Sequence, residues 1–378
     1  MRLLTVISRW VVGVLFIVSG LIKANDALGF SYKLEEYFSA DVLNLEFLIP
    51  LALVMAVGIC ILEIVLGVMV LIGARPKLTS WALLGMIFFF TFLTFYSAYF
   101  NKVTDCGCFG DAVKLTPWES FGKDLILLFF IGIIFLRNHL IKPLLSMKTE
   151  NMLIGILAFF CFAFVFHTHN HLPLKDFRPY AVDKNIPEGM KTCDELGVPC
   201  EEVAYFYKVK DKVSGEELEI TSVEYQNNWE QYDFLESSDK SIVLQEGYEA
   251  PIHDFSISLD GVDYTYSVLD ADYAFLLVTY NILKTEKDAW SKVNHLAASA
   301  EKNSIPFLVM SASTDEVIED FRHEVQAMYP FYFSDETTLK TMVRSNPGFL
   351  LLKKGTIVGK WHHHDFPDFE SIQQQYLQ

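Results

Sequence analysis

Five long runs of apolar residues limit what this chain can fold into. They lie at roughly residues 9–25, 48–73, 79–100, 121–141 and 151–168. Because a bilayer core takes about 20 apolar residues per helix, runs of this length are typical of membrane spans. Backbone groups in hydrocarbon must be paired within the segment, which favours helices. We therefore predict a membrane α-helical bundle with five spans.

The balance of charges changes after the last apolar run. Residues 1–172 carry 12 Lys or Arg and 11 Asp or Glu, whereas residues 173–378 carry 18 and 36. This change predicts two parts in different solvents, with the acidic part soluble. Nucleic-acid binding needs cations that replace phosphate counterions, so we expect no nucleic-acid partner. Membrane lipid is an expected partner of the apolar part.

We divide the chain into four parts: a transmembrane bundle over residues 1–145, a further transmembrane helix over 146–172, a flexible linker with a small β-rich segment over 173–250, and a soluble domain over 251–378. Every Arg beside a span falls on one side when the N-terminus is cytoplasmic. Five spans then place the C-terminal part outside. We therefore expect a multi-pass protein of the inner (cytoplasmic) membrane with a periplasmic C-terminal domain.

Two cysteines one residue apart lie in a short loop between two spans. Cys106 and Cys108 flank Gly107, and the loop is external in this topology. A disulfide between such neighbours closes a tight, strained ring, and strained disulfides are easily reduced. The pattern therefore favours a catalytic redox pair. A structural disulfide or a metal clip is the alternative, although two thiolates do not complete a zinc site.

The segment after this loop has the pattern of a helix start. Thr116 suits the N-cap, Pro117 the first helical position, and Glu119 completes a capping box. Trp118 is typical of a membrane interface. The dithiol is thus expected near the membrane surface, close to a helix N-terminus whose dipole would favour a thiolate.

The other four cysteines fall into two groups. Cys193 and Cys200 are external, and their spacing would close an eight-residue loop that stabilises by about 2–3 kcal/mol. A structural disulfide and a mobile relay pair that reaches back to the membrane loop both remain open. Cys60 and Cys161 lie within spans, where a cysteine usually acts as a small apolar residue.

One carboxyl group lies well inside the second span. Glu63 is about 13 residues past Pro50, or roughly 20 Å along a helix. An intramembrane carboxyl is a candidate functional group. Lys23 is the obvious partner, but its position near the outer end of the first span argues against a simple pair. Structural polar contacts and a proton relay remain open as roles for Glu63.

Two runs of histidine stand out. The first holds His167, His169 and His171 at the end of the last span, and the second holds His362, His363 and His364 near the C-terminus. Histidine-rich tracts can bind metal. We interpret them as solvated surface histidines and assign no metal site.

Three stretches resemble a known family: "SGLIKANDALGFSYKLEEYF" (19–38), "EIVLGVMVLIG" (63–73) and "CGCFGDAVKLTPWESFGKDLILL" (106–128). They are similar to the DoxX-like group of membrane proteins and, within it, to the MauE branch. The resemblance covers roughly residues 1–140. It implies a four-span helical bundle related in layout to disulfide enzymes of the DsbB and vitamin K epoxide reductase type. It also implies thiol–disulfide chemistry at Cys106 and Cys108, and a quinone as a hypothetical cofactor.

The acidic part is predicted to form strands and helices. A hairpin is expected around Ser214 and Gly215, in "EEVAYFYKVKDKVSGEELEITSVEY". Strands are predicted at 273–282 and 305–313, helices at 287–303 and at 314–325 with Thr314 as cap, and then "PFYFS", a helix from "DETTLKTMV" and a hairpin around Gly355. This order resembles a thioredoxin-like α/β fold of the peroxiredoxin or TlpA kind, with Pro347 at the place of the cis-proline.

The thioredoxin resemblance lacks its usual chemistry. Where a Cys-x-x-Cys pair is expected, this chain reads "LKTEKDAW". The redox work would then rest on Cys106 and Cys108. We expect a membrane-bound thiol–disulfide redox protein of the envelope, with an envelope thiol or disulfide protein as substrate. A non-enzymatic envelope scaffold or assembly subunit with structural disulfides is the alternative.

Overall fold

The computed structural model describes residues 2–103, 107, 109–113, 115–245 and 247–377. The chain divides into two compact units. The first unit contains Met1–Ala163 and Leu196–Glu249, and the second contains Phe164–Glu195 and Ala250–Gln378. Residues 196–249, which include the predicted β-rich segment, therefore belong to the same compact unit as the apolar helices.

Helices make up most of the first 170 residues. They are α1 (Arg2–Asn25), α2 (Ala27–Phe38), α3 (Ala52–Ile72), α4 (Pro76–Phe100), α5 (Pro117–Leu136) and α6 (Met147–Asn170). Short 3-10 turns lie at Glu46–Leu51, Gly110–Ala112 and Asn138–Leu140.

Four helices of the described chain are long and apolar enough to cross a membrane. These candidate spans are Leu3–Asn25, Glu46–Ile72, Pro76–Phe100 and Met147–Asn170. They overlap four of the five predicted spans and indicate a multi-pass membrane protein. The remaining prediction corresponds to α5, whose first eight residues include Glu119, Lys123 and Asp124. Because charged residues are costly in hydrocarbon, the span predicted at residues 121–141 stays a prediction.

Helices α1 and α3 pack closely through glycine. A Cβ atom on Gly67 would lie 2.8 Å from the carbonyl oxygen of Gly13, and one on Gly20 would lie 3.1 Å from the carbonyl oxygen of Cys60. Small residues allow the backbones of neighbouring helices to approach in this way. The contacts set the register of the two helices, with Gly13 beside Gly67 and Gly20 beside Cys60.

Helix α5 begins as its sequence predicts. Thr116 accepts a hydrogen bond from the backbone N–H of Glu119, and the Glu119 carboxylate accepts one from the backbone N–H of Thr116. Pro117 occupies the first turn. This reciprocal capping box satisfies two helix-end donors.

An antiparallel three-stranded sheet follows two short helices, α7 (Ile186–Met190) and α8 (Cys193–Leu196). Its strands are β1 (Glu202–Asp211), β2 (Glu217–Thr221) and β3 (Tyr232–Gln245), in the order β2-β1-β3. The β1–β2 hairpin is confirmed, and Gly215 takes a φ of +72° in its turn. The prediction was wrong beyond Thr221, where helix α9 (Ser222–Asn228) begins, and it missed β3.

The second unit contains a seven-stranded mixed sheet. Its strands are β4 (Ser258–Leu259), β5 (Val262–Asp263), β6 (Ala274–Val278), β7 (Phe307–Ser311), β8 (Phe331–Phe333), β9 (Gly348–Lys353) and β10 (Thr356–His362). The order is β10-β9-β6-β7-β8-β4-β5, with β6–β7 and β7–β8 parallel. Its helices are α10 (Thr265–Leu269), α11 (Trp290–Lys302), α12 (Asp315–Val325), α13 (Glu336–Met342) and α14 (Phe369–Gln375).

Both faces of this sheet are buried. Along β6, Ala274, Leu276 and Val278 enter one apolar cluster, while Phe275 and Leu277 enter the other. Successive strand residues point to opposite faces, so a strand covered on both sides is apolar throughout. This explains the unbroken apolar run that predicted a buried strand.

The strand order and helix placement are those of a thioredoxin-like fold. A β6-α11-β7 parallel unit is followed by α13 and by the antiparallel β9–β10 hairpin, and β9 lies beside β6. The Asn346–Pro347 peptide bond, just before β9, is cis, as the resemblance implies for Pro347. Thr314 lies at the N-cap of α12, but its side chain makes no capping hydrogen bond, contrary to expectation.

The start of the predicted linker is fastened to the thioredoxin-like sheet. The backbone N–H of Asp183 donates to the carbonyl of Ile357, and the N–H of Ile357 donates to the carbonyl of Lys184. Ile186 is fully buried in one of the two sheet clusters. The flexibility expected of residues 173–186 was therefore wrong, because this segment pairs with the edge of β10.

A buried ion cluster also holds this segment. Asp176 receives hydrogen bonds from Arg178 and from Lys360, at 2.8 and 2.7 Å. Burial opposes the charge of Asp176, but the two cations hold the pKa of its carboxyl well below the ordinary value. Burial and the nearby Arg178 lower the pKa of Lys360 to about 7.

Candidate functional site

The predicted redox pair lies at the edge of what the structure describes. Cys106 and Cys108 fall outside the described residues, whereas Gly107, Phe109 and Gly110 are described. A Cβ atom on Gly107 would lie 3.3 Å from the side chain of Lys33 in α2. The loop that carries both cysteines therefore approaches the helical bundle at Gly107.

Lys23 and Glu63 form a buried ion pair. The Lys23 Nζ lies 2.7 Å from the Glu63 Oε1, and the two side chains are 2% and 4% exposed. Ser19 donates a longer hydrogen bond of 3.4 Å to the other oxygen of Glu63. The Lys23 ammonium also lies 4.4 Å from the ring centroid of Phe90, a cation–π contact.

The argument from depth against this pair was wrong. It measured depth along α3 from Pro50, but helix packing sets which residues face each other. Gly20 lies against Cys60 and Glu63 of α3, and Lys23 is three residues further along α1. A lysine side chain can run along apolar surface while its ammonium reaches a distant partner, and here it reaches Glu63.

A second buried carboxylate lies near the first. Asp124 in α5 is 1% exposed, and it pairs with Lys123 at 2.8 Å. Thr94 in α4 donates a 3.0 Å hydrogen bond to Asp124 Oδ2. The sequence analysis assigned no site role to Lys123 or Asp124. One sequence feature pointed to them: these two charged residues lie within an apolar helix, beginning four residues after Glu119 of its capping box.

Both ion pairs line one small cavity within the first unit. Its volume is about 20 Å³, which is room for about one water molecule. The cavity wall includes Lys23, Glu63, Lys123 and Asp124, and Phe109 closes it from the cysteine loop. The Lys123 ammonium lies 5.2 Å from the ring centroid of Phe109.

This arrangement places two cations and two carboxylates next to the loop. Buried charges are tolerated when they are paired, and both carboxylates here have a lysine and a hydroxyl donor. Among the described residues, the cavity lining is a mixed set of cations and carboxylates, and no metal-ligand group is found there.

The remaining cysteines are in two states. Cys193 and Cys200 are disulfide-bonded. Cys60 and Cys161 are free and buried, as expected for small apolar residues in spans. The relay role of Cys193 and Cys200 stays a prediction.

After β6, where a thioredoxin carries its dithiol, this domain has a hydrogen-bond network. Thr279, at the end of β6, donates a 3.0 Å hydrogen bond to the side chain of Asn346. The Asn346 amide in turn donates to the carbonyl of Asn281 at 2.8 Å. These polar groups fill the space between the end of β6 and the cis-proline, and they have no redox chemistry.

The two histidine runs meet within the second unit. His171 and His364 have ring centroids 6.3 Å apart, and His363 and His364 have centroids 4.1 Å apart. Burial and the neighbouring imidazoles lower the pKa of His362 to about 3 and that of His363 to about 4. His362 is 4% exposed. The interpretation as solvated surface histidines was wrong for the buried His362, whereas His167, His169, His171 and His364 are exposed.

Comparisons with known proteins address the two parts separately. Residues 1–137 match the family described as methylamine utilisation protein MauE. No curated protein matches the chain.

One similar solved structure is the solution structure of a Bacteroides thetaiotaomicron protein described as a protein disulfide isomerase. It is 20% identical, with a TM-score of 0.27, and the match covers 32% of this chain and 82% of that one. At this TM-score, the fold assignment rests on the strand order and helix placement of the domain itself. The chain thus combines, over residues 1–137, a segment similar to the MauE family with a thioredoxin-like domain that lacks a cysteine pair.

Proposed function

We propose that this chain is a membrane-bound thiol–disulfide redox protein of the cell envelope, with Cys106 and Cys108 as its working pair. The observation that carries the proposal is the cavity beside the cysteine loop. Phe109, the residue after Cys108, lines it together with two lysines and two carboxylates. The similarity of residues 1–137 to the MauE family supports the same chemistry.

The proposed exchange transfers two electrons between the cysteine pair and a substrate. One thiolate of the reduced Cys106/Cys108 pair attacks a substrate disulfide and forms a mixed disulfide, releasing one substrate thiolate. The second cysteine then attacks the mixed disulfide, which releases the other substrate thiolate and closes the Cys106–Cys108 bond. Two electrons and two protons pass to the substrate. In the opposite direction they pass from a substrate dithiol to the pair, and then to a quinone as the second acceptor.

The charged cavity would serve the proton steps of this exchange. Every cycle releases or takes up two protons at the cysteines. Glu63 and Asp124 are the carboxylates that would relay these protons, and their ion pairs with Lys23 and Lys123 hold them in position. A thiolate is the nucleophile in disulfide exchange, so a nearby cation also speeds attack.

The proposed setting follows from the charge distribution. We place the N-terminus in the cytoplasm and the thioredoxin-like domain in the periplasm, because Arg residues beside the spans collect on one side. An envelope protein with exchangeable thiols or disulfides is the proposed partner. The thioredoxin-like domain would bind this partner, since it has no cysteine between residues 250 and 378.

A redox titration of the full chain in detergent tests the proposal. After equilibration in graded dithiol and disulfide buffers, free thiols are trapped with an alkylating mass tag. Wild type is expected to cycle two thiols at a potential above about −300 mV, the upper range of structural disulfides. Cys106→Ser and Cys108→Ser should each abolish this transition.

Cys161→Ser is the matched control, because Cys161 is a free, buried thiol in α6. It should leave the potential of the transition unchanged. If no transition occurs above that potential in wild type, or if Cys106→Ser leaves it intact, the redox proposal is wrong. A pair that stays oxidised in all buffers would instead support a scaffold with structural disulfides, which the bonded state of Cys193 and Cys200 also favours.

A further inference from the structure

A cluster of histidines at the end of α6 has a built arrangement of hydrogen bonds. Asn170 is the last residue of α6 and His171 follows it. Both contact the turn after β10, which contains His364 and Asp365. The His364 Nδ1 lies 2.9 Å from the carbonyl oxygen of Asn170. The His171 Nδ1 lies 2.8 and 3.0 Å from the two carboxylate oxygens of Asp365.

These partners decide the tautomers of two rings. A backbone carbonyl and an ionised carboxylate can only accept hydrogen bonds. The Nδ1 atoms of His364 and His171 must therefore carry the hydrogen and donate it. In the neutral ring this leaves the Nε2 atom of each with a free lone pair, the form in which imidazole binds a metal.

His363 is held in the same tautomer by a less direct route. Its Nδ1 lies 3.0 Å from the hydroxyl oxygen of Ser345. The single hydroxyl hydrogen of Ser345 is donated to the carbonyl oxygen of Pro347 at 2.6 Å. Ser345 can therefore only accept from His363, so the Nδ1 of His363 carries the hydrogen and its Nε2 keeps a lone pair.

His362 differs from these three. Its Nδ1 accepts a hydrogen bond from the backbone N–H of His364 at 3.3 Å. The hydrogen of the neutral ring is then on Nε2, and the lone pair is already used. This ring is also buried, so it shapes the turn and is not part of the ligand set.

The spacing suits one shared ion. One ring nitrogen from each of His362, His363 and His364 lies within 4.8 Å of the other two, and His362 is set aside because its lone pair is already used. Zinc binds imidazole nitrogen at about 2.0–2.1 Å, so ligand nitrogens close to roughly 3.4 Å on binding. Side-chain rotation that brings the nitrogens of His363 and His364 closer by up to about 1.4 Å covers that difference. The ring centroids of His171 and His364 lie 6.3 Å apart, so these two rings also approach by about 1 Å when they share a tetrahedral ion.

We infer that the Nε2 atoms of His171, His363 and His364 form a binding site for a divalent first-row transition metal, with Zn²⁺ as the reference ion. The three outer hydrogen bonds, to Asp365, Ser345 and Asn170, orient the ligands as such partners do in metal sites. Three neutral imidazoles leave one coordination position for water or a substrate group. The carboxylate of Asp365 offsets part of the charge of the ion.

Metal titration of the full chain in detergent, purified without a histidine tag, tests this inference. Zn²⁺ is added in competition with a chromophoric chelator, and Co²⁺ serves as a spectroscopic probe. We expect one ion per chain and the visible absorption of tetrahedral Co²⁺. Asp365→Asn keeps all three rings and should weaken Zn²⁺ binding by about 10–100-fold. His363→Ala should weaken it by at least as much.

His295→Ala is the control, because His295 is an exposed histidine of α11 outside the cluster. It should bind Zn²⁺ as wild type does. Thermal unfolding without metal shows whether each variant is folded. If His363→Ala does not fold, Asp365→Asn provides the test, because the Asp365 side chain is exposed. The inference is wrong if folded Asp365→Asn and His363→Ala bind Zn²⁺ like wild type, or if wild type binds none. The redox titration does not depend on this result.

Discussion

The buried pair of Lys23 and Glu63 makes a quantitative prediction about the membrane bundle. Their charged atoms are 2.7 Å apart, with side chains 2% and 4% exposed. Lys23→Met removes one charge and leaves the Glu63 carboxylate without its lysine partner, with a 3.4 Å hydrogen bond from Ser19 remaining. Glu63→Leu leaves the ammonium of Lys23 against the ring of Phe90. Each single change should cost about 3–5 kcal/mol, because it strands a buried charge.

The double variant Lys23→Met/Glu63→Leu should be more stable than either single variant. Apolar residues of similar volume replace the ion pair, and no charge remains unpaired in the bundle. Equilibrium unfolding in mixed detergent micelles, with the four proteins compared in a double-mutant cycle, measures the coupling between the two positions.

An exposed pair of the same length provides the control. Lys287 Nζ and Glu324 Oε1 are also 2.7 Å apart, but their side chains are 54% and 55% exposed. The matching changes Lys287→Met and Glu324→Leu should leave stability close to wild type, because water replaces the lost partner. The reasoning is refuted if Lys23→Met and Glu63→Leu are as mild as these controls, or if their losses add in the double variant.

Three further changes test other contacts. Gly67→Ala should cost about 1–3 kcal/mol in the same unfolding assay, because its Cβ would meet a backbone carbonyl of α1, whereas Gly58→Ala, with no atom within 4 Å of its Cβ, should not. Thr116→Ala should cost about 1 kcal/mol through loss of the capping box, and helicity measured by circular dichroism should fall only slightly. At pH values above the ordinary pKa of an aspartate, Asp176→Asn should lower the free energy of unfolding of the thioredoxin-like unit. Because the folded pKa of Asp176 is lowered by two cations, its contribution is lost as pH falls through that lower value. Urea unfolding at pH 7 should therefore separate wild type from Asp176→Asn, and unfolding near pH 2 should separate them less. A difference that grows toward low pH would contradict the assignment.

Local patterns were sufficient for much of the fold. The capping box of α5 forms as expected, since its hydrogen bonds join residues three apart. The β6 strand was recognised from an apolar run, because a strand covered on both faces has no polar residues. The β1–β2 hairpin was recognised from its turn. The end of β2 was misjudged, because a Thr can either continue a strand or cap a helix, and Thr221 caps α9.

The candidate sites depended on contacts that no local pattern contains. The sequence analysis did not identify Asp124 as a site residue, because its hydrogen bond comes from Thr94, which lies on another helix. The linker segment seemed flexible from its composition, yet Asp176 meets Lys360 at a distance of 184 residues along the chain. Composition reports how readily a segment is solvated, and it does not report whether a sheet edge is available nearby.

The sequence by itself determined that this chain has a multi-span apolar part, an acidic α/β part, and no cysteine where a thioredoxin would carry its pair. Those features follow from hydropathy, charge and spacing, which act over a few helical turns. Only the tertiary structure decided that Lys23 reaches Glu63, 40 residues away, and that His171 meets Asp365, 194 residues away. Such pairs depend on the register in which packed elements meet and on the reach of their side chains, and both are set by close packing over the whole unit.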